Sequence, residues 1–277
     1  MKRLIILIGL IAFTGASFLS AQPKGIYKKD ITDKLPVPYP HLREADVMWS
    51  KKYTRILDLR EKMNLPLYYP TFPIGDRKSL IDIIMEAVRS GEVTVYKARV
   101  TDDEMIEPTT LGEIESTMGA SIDTSWVIDP VTNNQILNVS ENEANTSEIK
   151  QYLMQEEWYF DKKHSVMKVR ILGLCPIRFY LHEDTGKPEK SKAFWVYFPD
   201  LRNTLVRNEV YNKYNDAHRI SYDDLFMQRR FSSFIISQSN VYDNRQIIQY
   251  ETGRMALLEA NIIKEWLMNV EHDLWEY

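Results

Sequence analysis

The sequence predicts an α+β fold: one domain with a mostly antiparallel sheet, helices packed against it, an extended N-terminal arm and a long C-terminal helix. Three observations carry this. A β-hairpin is written between Glu156 and Ile177, where two β-prone runs, Trp158 to Phe160 and Val166 to Leu174, flank a charged five-residue connection. An amphipathic segment from Ser79 to Ser90 leads into a strand pattern over Glu92 to Val100. Finally, Met255, Leu258, Ile262, Trp266 and Val270 repeat at helical spacing through the last segment, Asn244 to Trp275.

The hairpin is a scaffold signal. On its second strand Val169 and Ile171 point one way and Lys168 and Arg170 the other, until Leu172, Leu174 and Cys175 make both faces apolar and take the strand into the core. Pro176 removes a ladder donor, so the pairing is expected to end or bulge there. Ser79 is placed to cap its helix, with Asp82 three residues on, and Leu80, Ile83, Ile84, Ala87 and Val88 form the stripe that Gly91 closes. That helix is expected to pack on the strand after it. In the terminal helix Gly253 is the expected kink.

Residues 1–21 have the make-up of a secretory signal peptide: Lys2 and Arg3, an apolar run from Leu4 to Phe13, and small residues before a cut after Ala21. About 20 apolar residues are needed to span a bilayer, and no later segment has them. Residues 22–45 carry Pro23, Pro36, Pro38 and Pro40 among Lys and Tyr without apolar periodicity, which reads as an arm. Residues 46–277 make the domain. Trp49, Tyr53, Ile56 and Met63 suggest one face of a helix from Asp46 to Met63, with Lys51, Lys52, Arg55 and Asp58 in solvent and Asn64 and Pro66 as its stop. The aromatic connection Leu67 to Pro73 follows.

From Thr101 to Asn145 loops are expected, with short helices capped at Thr101 and over Leu111 to Met118, and the least order at Asn138 to Ser147. His182 to Lys192 reads as a polar turn. Ala193 to Phe198 reads as a central strand, aromatic on both faces. Short helices over Asp200 to Asn208 and Tyr222 to Arg230 precede a strand over Phe231 to Gln238.

Thirty-five Lys and Arg against 39 Asp and Glu give a formal charge of −4. No stretch concentrates the basic residues into a nucleic-acid footprint. Cys175, the single cysteine, excludes an intrachain disulfide and reads as a buried thiol. Lacking a cysteine after the signal peptide, the chain is expected to meet membranes only through partners.

H-E-x-x-H, G-x-S-x-G, a Walker loop and G-x-G-x-x-G are all missing. The five histidines share no metal-ligand spacing, so neither a metal nor another cofactor is expected. Acidic pairs stand at Asp102-Asp103, Glu156-Glu157, Glu183-Asp184 and Asp223-Asp224. Helix starts account for Asp102 and Asp223, and a solvated position for Glu156 and Glu183. Six Trp, 16 Tyr and 10 Phe mostly fill a core. Tyr27, Tyr39, Tyr68, Tyr69, Trp158, Tyr159, Trp275 and Tyr277 are candidates for interface anchors, since Tyr and Trp combine large buried area with a polar tip.

The hairpin block, taken with Asp46 to Arg55, the strand Gly91 to Tyr96 and the ending Leu274-Trp275-Glu276-Tyr277, resembles the gliding-motility GldN family and its secretion counterpart PorN. The resemblance runs from about Asp46 to the end of the sequence. It implies a non-enzymatic periplasmic component of the type IX secretion and gliding machinery. It further implies a homo-oligomeric ring formed with a GldK/PorK-like lipoprotein beneath the outer membrane, and contact with the periplasmic region of a GldM/PorM-like protein. The rival is a periplasmic carbohydrate-binding protein or glycoside hydrolase, which needs an aromatic cleft and two converging carboxylates.

Overall fold

The computed structural model describes residues 34–99, 105–128, 135–142, 144–182, 186–213, 215, 217–242 and 244–273, with backbone alone for 121–128 and 135–142. In chain order the strands are β1 (Val47–Asp58), β2 (Val95–Lys97), β3 (Ser121–Ile128), β4 (Gln135–Asn142), β5 (Ile149–Asp161), β6 (Val166–Leu181), β7 (Pro188–Lys192), β8 (Phe194–Tyr197), β9 (Glu209–Val210), β10 (Ile220–Ser221) and β11 (Phe234–Gln238). The α-helices are α1 (Leu65–Tyr68), α2 (Leu80–Arg89), α3 (Leu111–Thr117), α4 (Phe198–Arg207), α5 (Tyr222–Met227) and α6 (Arg254–Asp273).

A seven-stranded antiparallel sheet runs in the order β11, β1, β5, β6, β8, β2, with β7 also on β6. The mostly antiparallel α+β fold with a C-terminal helix is therefore present. Its spine is the β5–β6 hairpin, longer at both ends than the sequence pattern suggested. Asp161 is the last residue of β5 and organises the turn, accepting from Lys163 N at 3.0 Å and Lys168 Nζ at 2.8 Å and pairing with His164 Nδ1 at 2.6 Å.

Pairing does not stop at Pro176, which stands opposite Tyr152. Its carbonyl accepts from Ala193 N at 2.9 Å. Because the N and C=O of a strand residue point to the same side, the missing donor faces away from β5, where the partner of β6 changes from β8 to β7. The ladder shifts register at Lys150, between the pairs Ile149–Arg178 and Gln151–Ile177, and at Leu172, between Gln155–Gly173 and Glu156–Ile171. The extra residue at Leu172 reverses the alternation, so Ile171 and Leu174 both face the helices.

The segment expected to be a helix from Asp46 to Met63 is strand β1, paired with β5 on one side and β11 on the other. Trp49 and Tyr53 are four apart, a step that keeps a residue on the same side of a strand as well as of a helix. Ile56 separates the two readings. It faces the side opposite Tyr53, and β-branched Val47, Thr54 and Ile56 suit the pleated ladder. Pro66 lies in the first turn of α1, where its absent N–H is not needed.

Two further loops are strands. Residues 121–142 contain the β3–β4 hairpin, and the polar stretch at Pro188 is β7. Residues 101–104, expected to begin a helix, lie outside the described residues. Helix α2 is as expected: the Ser79 hydroxyl accepts from Asp82 N at 3.3 Å, and Gly91 has φ +74°. The expected strand after it shortens to β2, beside the central β8.

One face of the sheet carries two apolar clusters. Leu57, Tyr152, Met154, Ile171, Leu174, Phe194 and Val196 are covered by α2, α4 and α5 through residues such as Ile83, Ile84, Phe198, Leu201, Leu205 and Phe226. Further along the same face, Tyr53, Met167 and Ile235 meet Ala260, Ile263 and Leu267 of α6, with Trp49, Trp158 and Phe160 alongside. Leu153, buried Cys175, Ile177 and Trp195 make a third cluster behind the sheet.

Candidate interaction surfaces

Of the stripe its periodicity singles out, helix α6 packs only Val270 toward the sheet. Met255, Leu258, Ile262 and Trp266 are between 46 and 54% exposed, whereas Ala260, Ile263 and Leu267 are buried and Ala256 and Val270 pack beside them. Both sets follow helical steps of three and four, about 100° apart around the axis. The sheet-facing set includes the small Ala256 and Ala260, so apolar content along the sequence favoured the other. Trp266 leans on Trp49 at 5.7 Å, at the margin of the sheet contact. Gly253, with φ +57°, precedes the helix and turns the chain into it rather than kinking it.

A cleft of about 370 Å³ opens beside α6, over the seam between the two clusters. Its walls include Arg55, Trp158, Arg229, Phe231, Lys264 and Glu271. At its base lies an ion cluster, because Arg55 falls between Tyr53 and Leu57 on β1, and Glu156 between Met154 and Trp158 on β5. Glu156, expected in solvent, is fully buried. It accepts from Arg55 Nε, from Arg229 Nη1 at 2.8 Å and from Trp158 Nε1 at 2.9 Å. Burial alone would raise the Glu156 carboxyl; the Arg55 and Arg229 charges, with hydrogen bonds from Arg229 and Trp158, outweigh it and hold it below the usual range. Burial lowers the Arg55 guanidinium against the pull of Glu156. Arg55 is likewise buried rather than in solvent. Held ionised by two cations, Glu156 has no proton to donate as a general acid.

The described end of the arm lies on its own chain. The Tyr39 ring sits between the Arg202 and Arg170 guanidiniums at 4.5 and 5.0 Å, and Pro40 O accepts from Arg170 Nη2 at 2.7 Å. Lys34 pairs with Asp224 at 3.5 Å. Arg202 is itself held by Asp223 through two bonds of 2.8 and 3.0 Å, a buried link between α4 and α5. Asp223, read as a helix-start acid, is therefore also an ion-pair partner.

The other aromatic candidates are dispersed. Tyr68 donates to Ser147 O at 3.0 Å and meets Tyr69 edge-on at 4.9 Å, leaving Tyr69 exposed. Trp158 lines the cleft, whereas Tyr159, its neighbour in sequence, is 4% exposed on the opposite side of the sheet. Tyr27, Trp275 and Tyr277 lie outside the described residues. Among the described residues the candidate aromatics thus do not converge on one cleft as a carbohydrate site requires. Among the described residues no group of three or more His, Cys, Asp or Glu could hold a metal ion, and no helix is long and apolar enough to cross a membrane.

The groups sequence reasoning missed are Arg55, Glu156, Arg229 and Lys264. Arg55 and Glu156 are 101 positions apart, and only the β1–β5 register joins them.

Buried acidic groups are tied into structural ion pairs, the described candidate aromatics face several directions, and an apolar row on α6 is left in solvent. The chain belongs to the GldN family: the family model described as gliding motility associated protein GldN matches residues 42–276. Comparison with curated proteins gives no match. Membership makes the chain a periplasmic, structural component of the gliding-motility and type IX secretion machinery.

Proposed function

We propose that the chain, exported on residues 1–21, is a non-enzymatic scaffold that forms a ring with a GldK/PorK-like lipoprotein at the inner face of the outer membrane. In this reading it also meets the periplasmic region of a GldM/PorM-like protein, and its membrane attachment is entirely the lipoprotein's. The observation that supports it is the α6 stripe. Met255, Leu258, Ile262 and Trp266 form an apolar row along one side of a helix whose other side is already committed to the sheet. Such a row is costly to leave in water and suits a partner surface. A closed ring needs two different patches on each copy. Residues 22–33, beyond the part of the arm held by Arg170 and Arg202, are the second patch, and exposed Tyr69 is a third contact.

The test is the mass of the mature chain alone and co-expressed with the lipoprotein, by light scattering and negative-stain imaging. Rings or arcs that form with the lipoprotein and are lost in Ile262→Asp are expected. A monodisperse monomer that ignores the lipoprotein would overturn the scaffold reading. Unaltered rings in the variant would remove α6 from the contact.

A further inference from the structure

We propose that the cleft beside α6 binds a carboxylate carried next to an apolar side chain, a function that stands apart from ring formation. Arg55 is 5% exposed and lines the cleft. Its Nε donates to Glu156, while among the described residues its two Nη atoms meet no acceptor. A guanidinium carries five N–H donors in a planar fork, and here the Nη donors are met by no protein acceptor and are left to whatever occupies the cleft. The fork matches a carboxylate. Glu156 does not fill this role, because its oxygens are already taken by Arg55, Arg229 and Trp158.

Charge sets the class of ligand. Arg55, Arg229 and Lys264 are three cations; lining Glu271 and underlying Glu156 are two carboxylates, so one positive charge is unmatched. Lys264 has no ion-pair partner among the described residues. A monoanion balances the site, whereas a phosphate dianion leaves it negative. The walls add Trp158, Phe231, Leu267 and Met268 as apolar surface. The volume of about 370 Å³ suits a small ligand or one or two residues of a peptide.

A carboxylate with an apolar neighbour has two sources, a free small molecule and an acidic residue in a protein segment. The probes that separate them are N-acetyl-L-tryptophan and the peptide Ac-Ala-Trp-Glu-Ala-NH2. N-acetyl-L-tryptophanamide and inorganic phosphate serve as controls. Binding to the full mature chain is followed by amide chemical shifts and calorimetry.

At least one carboxylate probe is expected to saturate and to move the amides of Trp158, Arg229 and Lys264. The uncharged amide is expected to bind at least about tenfold more weakly, and Lys264→Gln, which alters an exposed side chain, to weaken the acid about tenfold. Tighter binding of the peptide assigns the site to a protein segment; tighter binding of N-acetyl-L-tryptophan assigns it to a free carboxylate. The proposal fails if no probe saturates, if the amide binds as well as the acid, if phosphate binds more tightly than both, or if Lys264→Gln changes nothing. Ring assembly is read separately, so the two proposals fail independently.

Discussion

The two ends of the helix-bearing sheet face are covered differently. Around Leu57, Met154 and Leu174 three helices converge, and most of their apolar residues, Phe198 and Leu201 among them, are buried. Around Tyr53 and Met167 a single helix does the covering, leaving an apolar row exposed and an ion cluster at its margin. Coverage by several helices uses up apolar surface, whereas coverage by one leaves some for other contacts. The seam between the ends is where charge enters the interior.

Breaking the seam has the largest expected effect. Glu156→Ala leaves Arg55 buried without its counter-ion and should cost about 3–5 kcal/mol in urea unfolding, while the paired change Arg55→Met with Glu156→Leu should be near neutral. The same carboxylate sets a pH signature. Its folded pKa lies below the unfolded value of about 4.3, so its contribution is complete above that pH and is lost as pH falls through the folded value. Stability should therefore drop below about pH 4, and less steeply in the paired variant.

Neighbouring residues on α6 sharpen the contrast. Ile263→Ala, on the buried side, should cost about 2–5 kcal/mol. Ile262→Ala, one position away, should change the stability of the monomer by no more than about 0.5 kcal/mol. Between these lies Tyr39→Ala, which removes a ring from between two guanidiniums and should cost about 1 kcal/mol, with faster proteolysis at residues 34–43 as the second readout. Equal effects at Ile262 and Ile263 would abolish the distinction between the two sides of the helix.

What the sequence made legible was local. The hairpin, the Ser79-capped helix and the strand of Phe194 to Tyr197 could be read because alternation, capping and turn chemistry act over a few residues. Strand β1 was misread because its aromatic spacing satisfies two periods. On α6 the helix was legible but its buried side was not: alanines at 256 and 260 mark close approach to the sheet, which only the tertiary partner reveals. The cleft was illegible for a different reason. Glu156 sits beside Glu157 and looks solvated, and only its diagonal relation to Arg55 across β1 and β5, and to Arg229 beyond α5, turns it into a buried cluster.

The change of partner along β6 has a consequence for aggregation. Among the described residues Val166 to Ile171 pair only with β5 and Leu172 is the bulge, because the pairing of β6 with β8 starts at Gly173 and that with β7 at Ile177. A row of strand backbone paired on one side is a template on which another chain can add itself. Lys168 and Arg170 place charge along this row, and the arm stands against it through Tyr39 and Pro40. A chain beginning at Asp46 would carry that edge without Tyr39 and Pro40 beside it, and is expected to self-associate more readily in light scattering than the chain that keeps them.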